Sequence, residues 1–521
     1  MNEFSNKTRI ENLKRLHTEN FDLLIIGGGI TGAGVARDAA LRGMKVGLIE
    51  AQDFAEGTSS RSSKLIHGGI RYLENLEFKL VFEALNERQK LFRMAPHLVH
   101  PLRFMIPIYE TSRVSMFQMG LGMWFYDILS LFRAPQLHER LSSSQTLNRM
   151  GILAPNSLSG SYIYSDAYMD DDRLTIETLR SAHEAGAVIA NYVKATSSYT
   201  ETDSPIVRSI GIRDEITGLE GMISAQRIVS CTGPWTDITG EKFEDQWKKV
   251  LRPTKGIHFT LKKDRIPLTS AVVMGAEDSK RIVFAIPRDE MIIIGTTDTD
   301  YQGDPGSVSA NSEDIQYLLN ITARYFPGAQ VTADDIINAY AGVRPLVQDG
   351  SQSEGKTSRE HTILTRPNGI TYVAGGKYTT YRHMAEEIVD HILKQSPPPT
   401  GIKWPKKRTD VPLNPYTSPE AFQEAIQASQ TAKDPVLMQL AKRHGMEAFE
   451  IRLKFPNYTY LETEFAHAID KTMCLKLKDF CTRRSPIHLT EVNGGIDQIE
   501  SLLTVLVDTL GLAPQDARDQ L

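Results

Sequence analysis

Length, composition and charge exclude several classes of protein before any motif is considered. The chain has 521 residues, of which 41% are hydrophobic and 24% are charged, so it can form two or three globular domains with substantial cores. A formal net charge of −5 gives no overall basic surface for nucleic acid. The cysteines Cys231, Cys474 and Cys481 lack metal-binding spacing and are typical of a reducing compartment. We therefore expect neither nucleic-acid binding nor a metal site.

The beginning of the chain carries no recognisable targeting pattern. Residues 1–20 are polar and contain charges of both signs, whereas a secretory signal peptide has an apolar central segment. We interpret these residues as an N-terminal extension and expect the protein to stay in the cytoplasm.

The strongest motif follows this extension. Residues 21–26 (FDLLII) are typical of a buried parallel strand and lead into Gly-x-Gly-x-x-Gly at Gly27, Gly29 and Gly32. These glycines allow a tight turn, a close approach of the backbone to a pyrophosphate, and close packing of the next helix on the strand. A second strand ends at Glu50, near the spacing at which an acid binds a ribose hydroxyl. The pattern predicts a site for NAD or FAD rather than NADP, without separating the first two.

Distant segments are predicted to complete this site. Residues 58–64 (TSSRSSK) form a hydroxyl-rich loop, and the apolar strand 227–231 ends in the small-residue turn 232–235 (TGPW), where backbone can approach a cofactor. Residues 79–94 show helical periodicity. The acids at 170–172 precede another helical pattern, and we interpret them as a helix N-terminal cap rather than a metal site.

The second half of the chain contains a β-rich region and, after a linker, a helical region. Runs rich in β-branched and aromatic residues between 251 and 299 predict an antiparallel sheet, which we interpret as the floor of a substrate domain. A second glycine turn opens a helix within residues 372–381. The predicted domains are a discontinuous dinucleotide-binding domain (21–95, 150–245 and 359–395), a substrate-binding domain (96–149 and 246–358), a Pro- and Lys-rich linker (396–415) and a helical C-terminal domain (416–521).

Residues 114–132 (VSMFQMGLGMWFYDILSLF) are the one stretch apolar enough to contact lipid. Gln118 and Asp127 lie inside it, and Arg113 and Arg133 flank it. These polar positions suit a helix lying in the membrane interface better than a transmembrane helix. A buried domain helix is the second interpretation, and a true membrane span is the third.

Several longer motifs identify a family. The most specific are Ser-Lys-Leu-Ile-His-Gly-Gly at 63–69 and Gly-Val-Arg-Pro-Leu at 342–346, and the others lie at 27–34, 58–73, 95–98, 232–235, 255–258, 295–298 and 375–377. Over nearly its whole length the chain resembles the FAD-dependent glycerol-3-phosphate dehydrogenases, flavoenzymes that deliver electrons to the respiratory chain. The resemblance implies an α/β fold like that of the amino-acid oxidases, with a Rossmann-like FAD-binding domain, a β-rich substrate domain and an all-α C-terminal domain.

The resemblance also implies a reaction and its setting. The protein would oxidise sn-glycerol 3-phosphate to dihydroxyacetone phosphate by hydride transfer to the flavin N5 of non-covalently bound FAD, and would pass the electrons to a membrane quinone. It would then lie peripherally on the inner face of the cell membrane, through residues 114–132 or through basic surface residues. A homodimer is compatible with the resemblance.

The expected site residues are those at positions that match the motifs of the family. We expect His258 to act as the base, because an imidazole suits proton abstraction near neutral pH, with Arg344 aligning or polarising the substrate oxygen as the competing interpretation. Arg344 is also expected to form an anion clamp with Arg71, Arg359 and Lys377, and Tyr72 to orient the substrate. The expected FAD contacts are Gly27, Gly29, Ile30, Thr31, Gly32, Glu50, Ala51, Thr58, Ser59, Ser60, Ser62, Lys64, Leu65, His67, Gly68, Val193, Thr232, Gly233, Trp235, Gly376 and Thr379.

Two departures and two alternatives accompany this assignment. Arg61 stands where the family often has a small residue, and the region around 443–445 matches the family only loosely. The chain lacks the long insertion of oxygen-using glycerophosphate oxidases and a calcium-binding loop, which favours the bacterial respiratory form.

An oxidase of the same fold that reduces O₂ to peroxide is the nearest alternative. A flavin-binding sensor without catalysis is a remote one, because a sensor needs no arginine clamp.

Overall fold

The computed structural model describes residues 2–70, 73, 77–201, 203–276, 281–348, 361–511, 513 and 515. Their strands form a six-stranded sheet, a four-stranded sheet beside it and a ten-stranded mixed sheet. The chain after residue 416 is mostly helical. This arrangement agrees with the predicted α/β class with a β-rich second domain and a helical C-terminal domain.

The helices and strands have the following bounds. The helices are α1 Asn6–Thr18, α2 Ile30–Leu41, α3 Phe78–Met94, α4 Met116–Leu129, α5 Ser143–Arg149, α6 Asp171–Glu184, α7 Thr236–Phe243, α8 Ser312–Tyr325, α9 Tyr381–Gln395, α10 Pro419–Ala432, α11 Pro435–His444, α12 Glu447–Lys454, α13 Tyr460–Lys471, α14 Leu477–Arg483, α15 Ile487–Thr490 and α16 Ile499–Leu510. The strands are β1 Asn20–Phe21, β2 Leu23–Ile26, β3 Val46–Ile49, β4 Leu65–Ile66, β5 Val99–Tyr109, β6 Glu139–Ser142, β7 Leu158–Met169, β8 Val188–Ala190, β9 Val193–Thr200, β10 Val207–Asp214, β11 Glu220–Ala225, β12 Ile228–Ser230, β13 Leu251–Lys262, β14 Ala271–Gly275, β15 Ile282–Arg288, β16 Met291–Gly295, β17 Thr299–Asp300, β18 Ile336–Val347, β19 His361–Thr365 and β20 Ile370–Gly375.

The six-stranded sheet is the frame of the first domain. Its order is β19-β20-β12-β2-β3-β8, and every pair is parallel except the one at the edge strand β19. β2 is apolar and buried at all its positions, as a parallel strand covered on both faces requires. Helices α2, α6 and α9 cover one face, and α1 with the four-stranded sheet β1-β11-β10-β9 covers the other.

The ten-stranded sheet forms the second domain. Its path is β17-β13-β16-β15-β14-β5-β7-β4, with β18 paired to β13 and β6 paired to β7. The pairs β13–β16, β15–β16 and β14–β15 are antiparallel, as predicted for residues 251–299. β7 pairs with β5 in this sheet, although the sequence assigned residues 150–245 to the first domain. The sheet therefore extends across the predicted domain boundary.

The C-terminal helices are tied to the first domain by buried ion pairs. Asp53, whose side chain is 0% exposed, accepts hydrogen bonds from Arg483 Nε at 2.7 Å and Arg484 Nη2 at 2.9 Å. Asn191 Nδ2 donates a third hydrogen bond to the same carboxylate at 3.2 Å. Burial alone would raise the pKa of Asp53, but the two guanidinium groups outweigh it and lower that pKa.

The apolar stretch at 114–132 contains α4, which begins with reciprocal hydrogen bonds between Ser115 and Gln118. Met123 and Tyr126 face the interior. The outer side, here named the α4 face, is exposed and consists of Phe117, Leu121, Trp124, Phe125, Ile128, Leu131 and Phe132. No helix within the described residues is both long and apolar enough to cross a membrane. α4 therefore differs from a buried domain helix, since it presents an apolar side to the exterior.

The ion pairs at Asp53 predict a large effect of one substitution. Asp53→Asn leaves Arg484 buried without its countercharge and removes one of the three carboxylates around Arg483, which keeps Glu56 and Asp479. Breaking such a buried network costs about 3–5 kcal/mol. We expect a lower midpoint of thermal unfolding and faster proteolysis between the first domain and the C-terminal helices. Asp497→Asn, at an exposed position of the C-terminal domain, is the matched control. Equal stability of the two variants would contradict the anchoring role of Asp53.

Candidate active site

A cavity of about 1080 Å³ runs between the six-stranded and ten-stranded sheets. Its first end is formed by the carboxyl edge of β2, β3 and β12, where ligands bind in open α/β sheets. Its second end is formed by β13, β18 and the segment after β16. The two ends of the cavity differ in chemistry, because glycine-rich backbone lines one end and charged side chains line the other. The cavity can therefore combine two functions.

The glycine turn makes the first end a cradle for a dinucleotide. Gly27 has a φ of 113°, and a Cβ there would lie 2.5 Å from the carbonyl oxygen of Cys231. A Cβ on Gly32 would collide with the carbonyl oxygen of Gly27. The Ile30 amide donates to Ser59 Oγ at 3.0 Å, which fixes the hydroxyl-rich loop against the start of α2. Phosphates are favoured at such a helix N-terminus because unpaired amides and the helix dipole face it.

Glu50 occupies the position expected for the ribose-binding acid. Its carboxylate accepts hydrogen bonds from the Gly28 amide at 2.7 Å and the Gln52 amide at 2.9 Å. Burial raises the pKa of Glu50, and these two amides act in the opposite direction. The hydrogen bonds hold the carboxylate in one orientation on the cavity wall.

His258 is the most constrained side chain at the second end. Its ring stacks on Tyr340 with centroids 4.9 Å apart and an interplanar angle of 11°. The other side of the ring abuts Gly295, where any Cβ would collide with it. Ser63 Oγ lies 2.8 Å from Nε2. Burial, followed by the charges of Arg344 and Lys64, lowers the pKa of His258 to about 3, so the imidazole is neutral at pH 7.

Arg344 lies beside His258 and is held by fixed partners. Its guanidinium forms an ion pair with Asp298 at 3.0 Å and donates to Thr296 Oγ1 at 2.8 Å and the Thr297 carbonyl at 3.2 Å. The side chain is about one quarter exposed, at 24%, and lines the cavity. A preorganised, partly exposed guanidinium of this kind is suited to bind an oxyanion.

The predicted site residues fall into three groups. On the cavity wall are His258, Arg344, Lys377, Gly27, Gly29, Ile30, Thr31, Glu50, Ala51, Thr58, Ser59, Ser62, Leu65, His67, Val193, Thr232, Gly233, Trp235, Gly376 and Thr379. Gly32, Ser60, Lys64 and Gly68 lie near the cavity but are not part of its wall. Arg71, Tyr72 and Arg359 lie outside the described residues.

Lys64 and Gly68 each have a partner within the protein. Lys64 Nζ forms a buried ion pair with Asp171, and although burial works to lower the pKa of Lys64, Asp171 and Asp172 outweigh it and raise that pKa. The Gly68 amide donates to Tyr126 Oη at 3.1 Å. Asp170 is the N-cap residue of α6, as predicted for the acidic run, but its side chain makes no capping hydrogen bond. Its carboxylate pairs with Arg288 and Arg173.

Sequence reasoning missed several residues of the cavity wall. Cys231 lies beside the glycine turn, and burial raises the pKa of its thiol to about 12, so the thiol stays protonated at neutral pH. Tyr192, Arg281 and Lys476 also line the cavity. The strand that ends at Cys231 was identified, but Lys476 belongs to the C-terminal domain and carries no local signal of a ligand contact.

Comparisons with known proteins agree with this geometry. Residues 22–382 match the family model described as DAO, FAD dependent oxidoreductase. An aerobic glycerol-3-phosphate dehydrogenase of Staphylococcus haemolyticus is 36% identical over 491 residues, which cover 91% of this chain and 88% of that protein. A Staphylococcus aureus protein of the same name is 34% identical over 522 residues, with coverages of 96% and 93%.

Solved structures extend the comparison to three dimensions. The glycerol-3-phosphate dehydrogenase from Bacillus halodurans, complexed with FAD, aligns with a TM-score of 0.80 and 28% identity over 99% of this chain and 96% of that one. An L-α-glycerophosphate oxidase from Mycoplasma pneumoniae with FAD bound has a TM-score of 0.55 and 17% identity over 72% and 95%, and shares the fold. The glycine cradle and Glu50 fit FAD as the cofactor. The chain belongs to the FAD-dependent oxidoreductases and, within them, to the aerobic glycerol-3-phosphate dehydrogenase family.

Proposed function

We propose that this protein oxidises sn-glycerol 3-phosphate to dihydroxyacetone phosphate and passes the electrons to a membrane quinone. The observation that carries the proposal is the pairing of a neutral imidazole, His258, with a fixed guanidinium, Arg344, in the cavity that begins at the FAD cradle. Oxidation of a secondary alcohol beside a phosphate needs a proton acceptor and cations for the dianion. When bound, FAD supplies the hydride acceptor.

His258 is the proposed proton acceptor. Its neutral ring can accept the hydroxyl proton of the substrate at an imidazole nitrogen, and the stack on Tyr340 keeps the ring from rotating. Burial, and then the charges of Arg344 and Lys64, give the ring a pKa of about 3 and make it a weak base in the absence of substrate. A phosphate dianion at Arg344 would neutralise that positive charge, and nearby negative charge favours a protonated imidazole. Substrate binding would therefore increase the basicity of His258 where it is needed.

Arg344 and Lys377 are the proposed phosphate ligands among the described residues. Both line the cavity, and Arg281 and Arg61 line it as well. Arg344 has its orientation set by Asp298 and Thr296 before any ligand arrives. A guanidinium that is already oriented loses little conformational freedom on binding an oxyanion. Arg71 and Arg359 are proposed to complete the clamp, in keeping with the matching motifs.

The α4 face supports a lipid bilayer as the site of electron delivery. Phe117 is 76% exposed and Trp124 is 56% exposed, and Phe125 contacts the exposed Phe78 of α3 at 6.2 Å between ring centroids. A continuous apolar surface of this kind is rare on a protein surrounded by water. An interfacial helix rich in Trp, Phe and Leu buries such a face among lipid headgroups. We propose that the α4 face rests on the inner surface of the cell membrane.

The position of α4 also favours a quinone over O₂ as the electron acceptor. The Tyr126 hydroxyl donates to Asp166 at 2.7 Å and accepts from the Gly68 amide at 3.1 Å. Gly68 follows His67, which lines the cavity. One hydrogen bond, from the Gly68 amide to Tyr126 Oη, and the peptide bond between Gly68 and His67 therefore join α4 to the cavity wall, which brings the proposed membrane contact close to the cavity. An oxidase needs no such arrangement.

Anaerobic stopped-flow absorbance tests the reaction directly. Mixing the FAD-loaded protein with sn-glycerol 3-phosphate should bleach the oxidised-flavin band, and a soluble quinone should restore the band rapidly while air restores it slowly. Rapid recovery in air would assign the protein to the oxidases. Absence of bleaching in an FAD-loaded sample would exclude sn-glycerol 3-phosphate as the substrate.

Substitution of His258 tests the proton acceptor. His258→Gln retains a polar side chain but removes the base, so we expect flavin reduction to slow by about 10²–10⁴-fold. The substrate concentration at half-saturation should change little, because Arg344 and Lys377 remain. Tyr340→Phe preserves the ring stack and is the control, with a reduction rate close to that of the wild type. An unchanged rate in His258→Gln would remove His258 from the mechanism.

Flotation with vesicles tests the α4 face. The double variant Phe117→Ser and Trp124→Ser loses two exposed anchors, and we expect it to stay in the aqueous fraction when mixed with phosphatidylglycerol–phosphatidylcholine vesicles that carry the wild type. Each buried aromatic side chain contributes about 1.5–3 kcal/mol to such partitioning. Leu453→Ser, at an 84% exposed apolar position of α12, should bind vesicles like the wild type. Equal flotation of all proteins would argue against membrane contact through α4.

A further inference from the structure

Lys476 brings a charge from the C-terminal domain to the cavity. The residue directly precedes α14, and its side chain lines the same cavity as the glycine turn. Nζ lies 4.3 Å from the centre of the Tyr192 ring, a distance typical of a cation–π contact. Within the described part of the chain, no carboxylate forms an ion pair with this ammonium group. Its charge is thus available to a ligand.

The position of Lys476 is at the Glu50 end of the cavity. The Tyr192 amide donates to the Gln52 carbonyl at 2.8 Å, and the Val193 amide donates to the Glu50 carbonyl at 2.7 Å. The Tyr192 ring that supports Lys476 is therefore joined through the backbone to the acid expected to bind ribose. Glu50 places a carboxylate on this wall, whereas Glu56 is paired with Arg61 and Arg483. The ammonium group of Lys476 adds a cation beside Glu50, and a cation favours binding of an anionic pyrophosphate.

The segment that carries Lys476 is held rigidly against the first domain. Tyr192 Oη donates to Asp479 at 2.7 Å, and Arg483 Nη2 donates to the same Asp479 oxygen at 2.9 Å. Arg483 Nε also donates a hydrogen bond to Asp53, which lies three residues after Glu50 in the sequence. Asn191 Nδ2 donates to the Met473 carbonyl at 3.0 Å. These contacts on both sides of Lys476 fix its backbone relative to the loop that contains Glu50.

We propose that the C-terminal helical domain forms part of the FAD site, with Lys476 as a cofactor-binding residue for the ribose and pyrophosphate of the adenosine half. Tyr192 orients the lysine side chain, and Asp479, Arg483 and Asp53 set its position. The C-terminal domain thereby contributes to cofactor affinity without contacting the substrate end, so this proposal stands whether or not the proposed substrate is correct.

Titration of the apoprotein with FAD, followed by quenching of flavin fluorescence, tests the role of Lys476. We expect Lys476→Gln to raise the Kd for FAD by roughly fivefold to tenfold, as loss of one partly solvated charge-assisted contact predicts. Lys476→Arg should restore most of the affinity. Lys478→Gln is the matched control, because Lys478 lies two residues away, is also exposed, and does not line the cavity.

A second probe separates the two halves of the cofactor. ADP carries the adenosine and the diphosphate without the flavin, and its binding to the apoprotein can be measured by calorimetry. Lys476→Gln should weaken ADP binding by the same factor as FAD binding, with the midpoint of thermal unfolding of the apoprotein unchanged. Equal affinities of Lys476→Gln, Lys478→Gln and the wild type for FAD would overturn the proposal. A loss of FAD affinity without a loss of ADP affinity would overturn the assignment to the adenosine half.

Discussion

The cavity depends on one close approach of backbone, at the point where β2 turns into α2. Gly27 packs against the carbonyl of Cys231, and Gly32 packs against the carbonyl of Gly27. Side chains at these positions would separate β2, β12 and α2, which together form the first end of the cavity. The Ser59 loop and the Glu50 turn both accept hydrogen bonds from this corner, at Ser59 Oγ and at the Glu50 carboxylate. The corner is therefore the fixed reference for the rest of the site.

The second end of the cavity is built on strands rather than on loops. β13 is paired on one side with β16 and on the other with β18, which places His258 opposite both Gly295 and Tyr340. The same pairing aligns Thr254 with Arg344. Side chains on paired strands are held more precisely than side chains on loops. This double pairing also excludes water from His258, and the exclusion of water is the main cause of its low pKa.

The sequence predicted those parts of the site that carry local patterns. The strand and glycine turn around Gly27 and the β-rich runs around His258 have characteristic spacing, and the structure contains both elements. The neutral state of His258 was not predictable, because it results from burial between strands that are distant in sequence. The buried ion pair of Lys64 with Asp171 was not predictable either, because no local pattern encodes a contact over this separation in sequence. The contacts of Asp53 with Arg483 and Arg484 were missed for the same reason.

The large separation between Asp53 and its partners has a consequence for biosynthesis. Arg483 and Arg484 are made about 430 residues after Asp53, when most of the chain has already left the ribosome. Until they arrive, the turn after Glu50 contains a carboxylate that cannot be buried without cost. The dinucleotide corner can fold early from its local glycine pattern, but the adjoining turn is completed last. Nascent chains that stop before these arginines would therefore contain the glycine turn of the cofactor site, but the adjoining turn with Asp53 would lack its ion pairs.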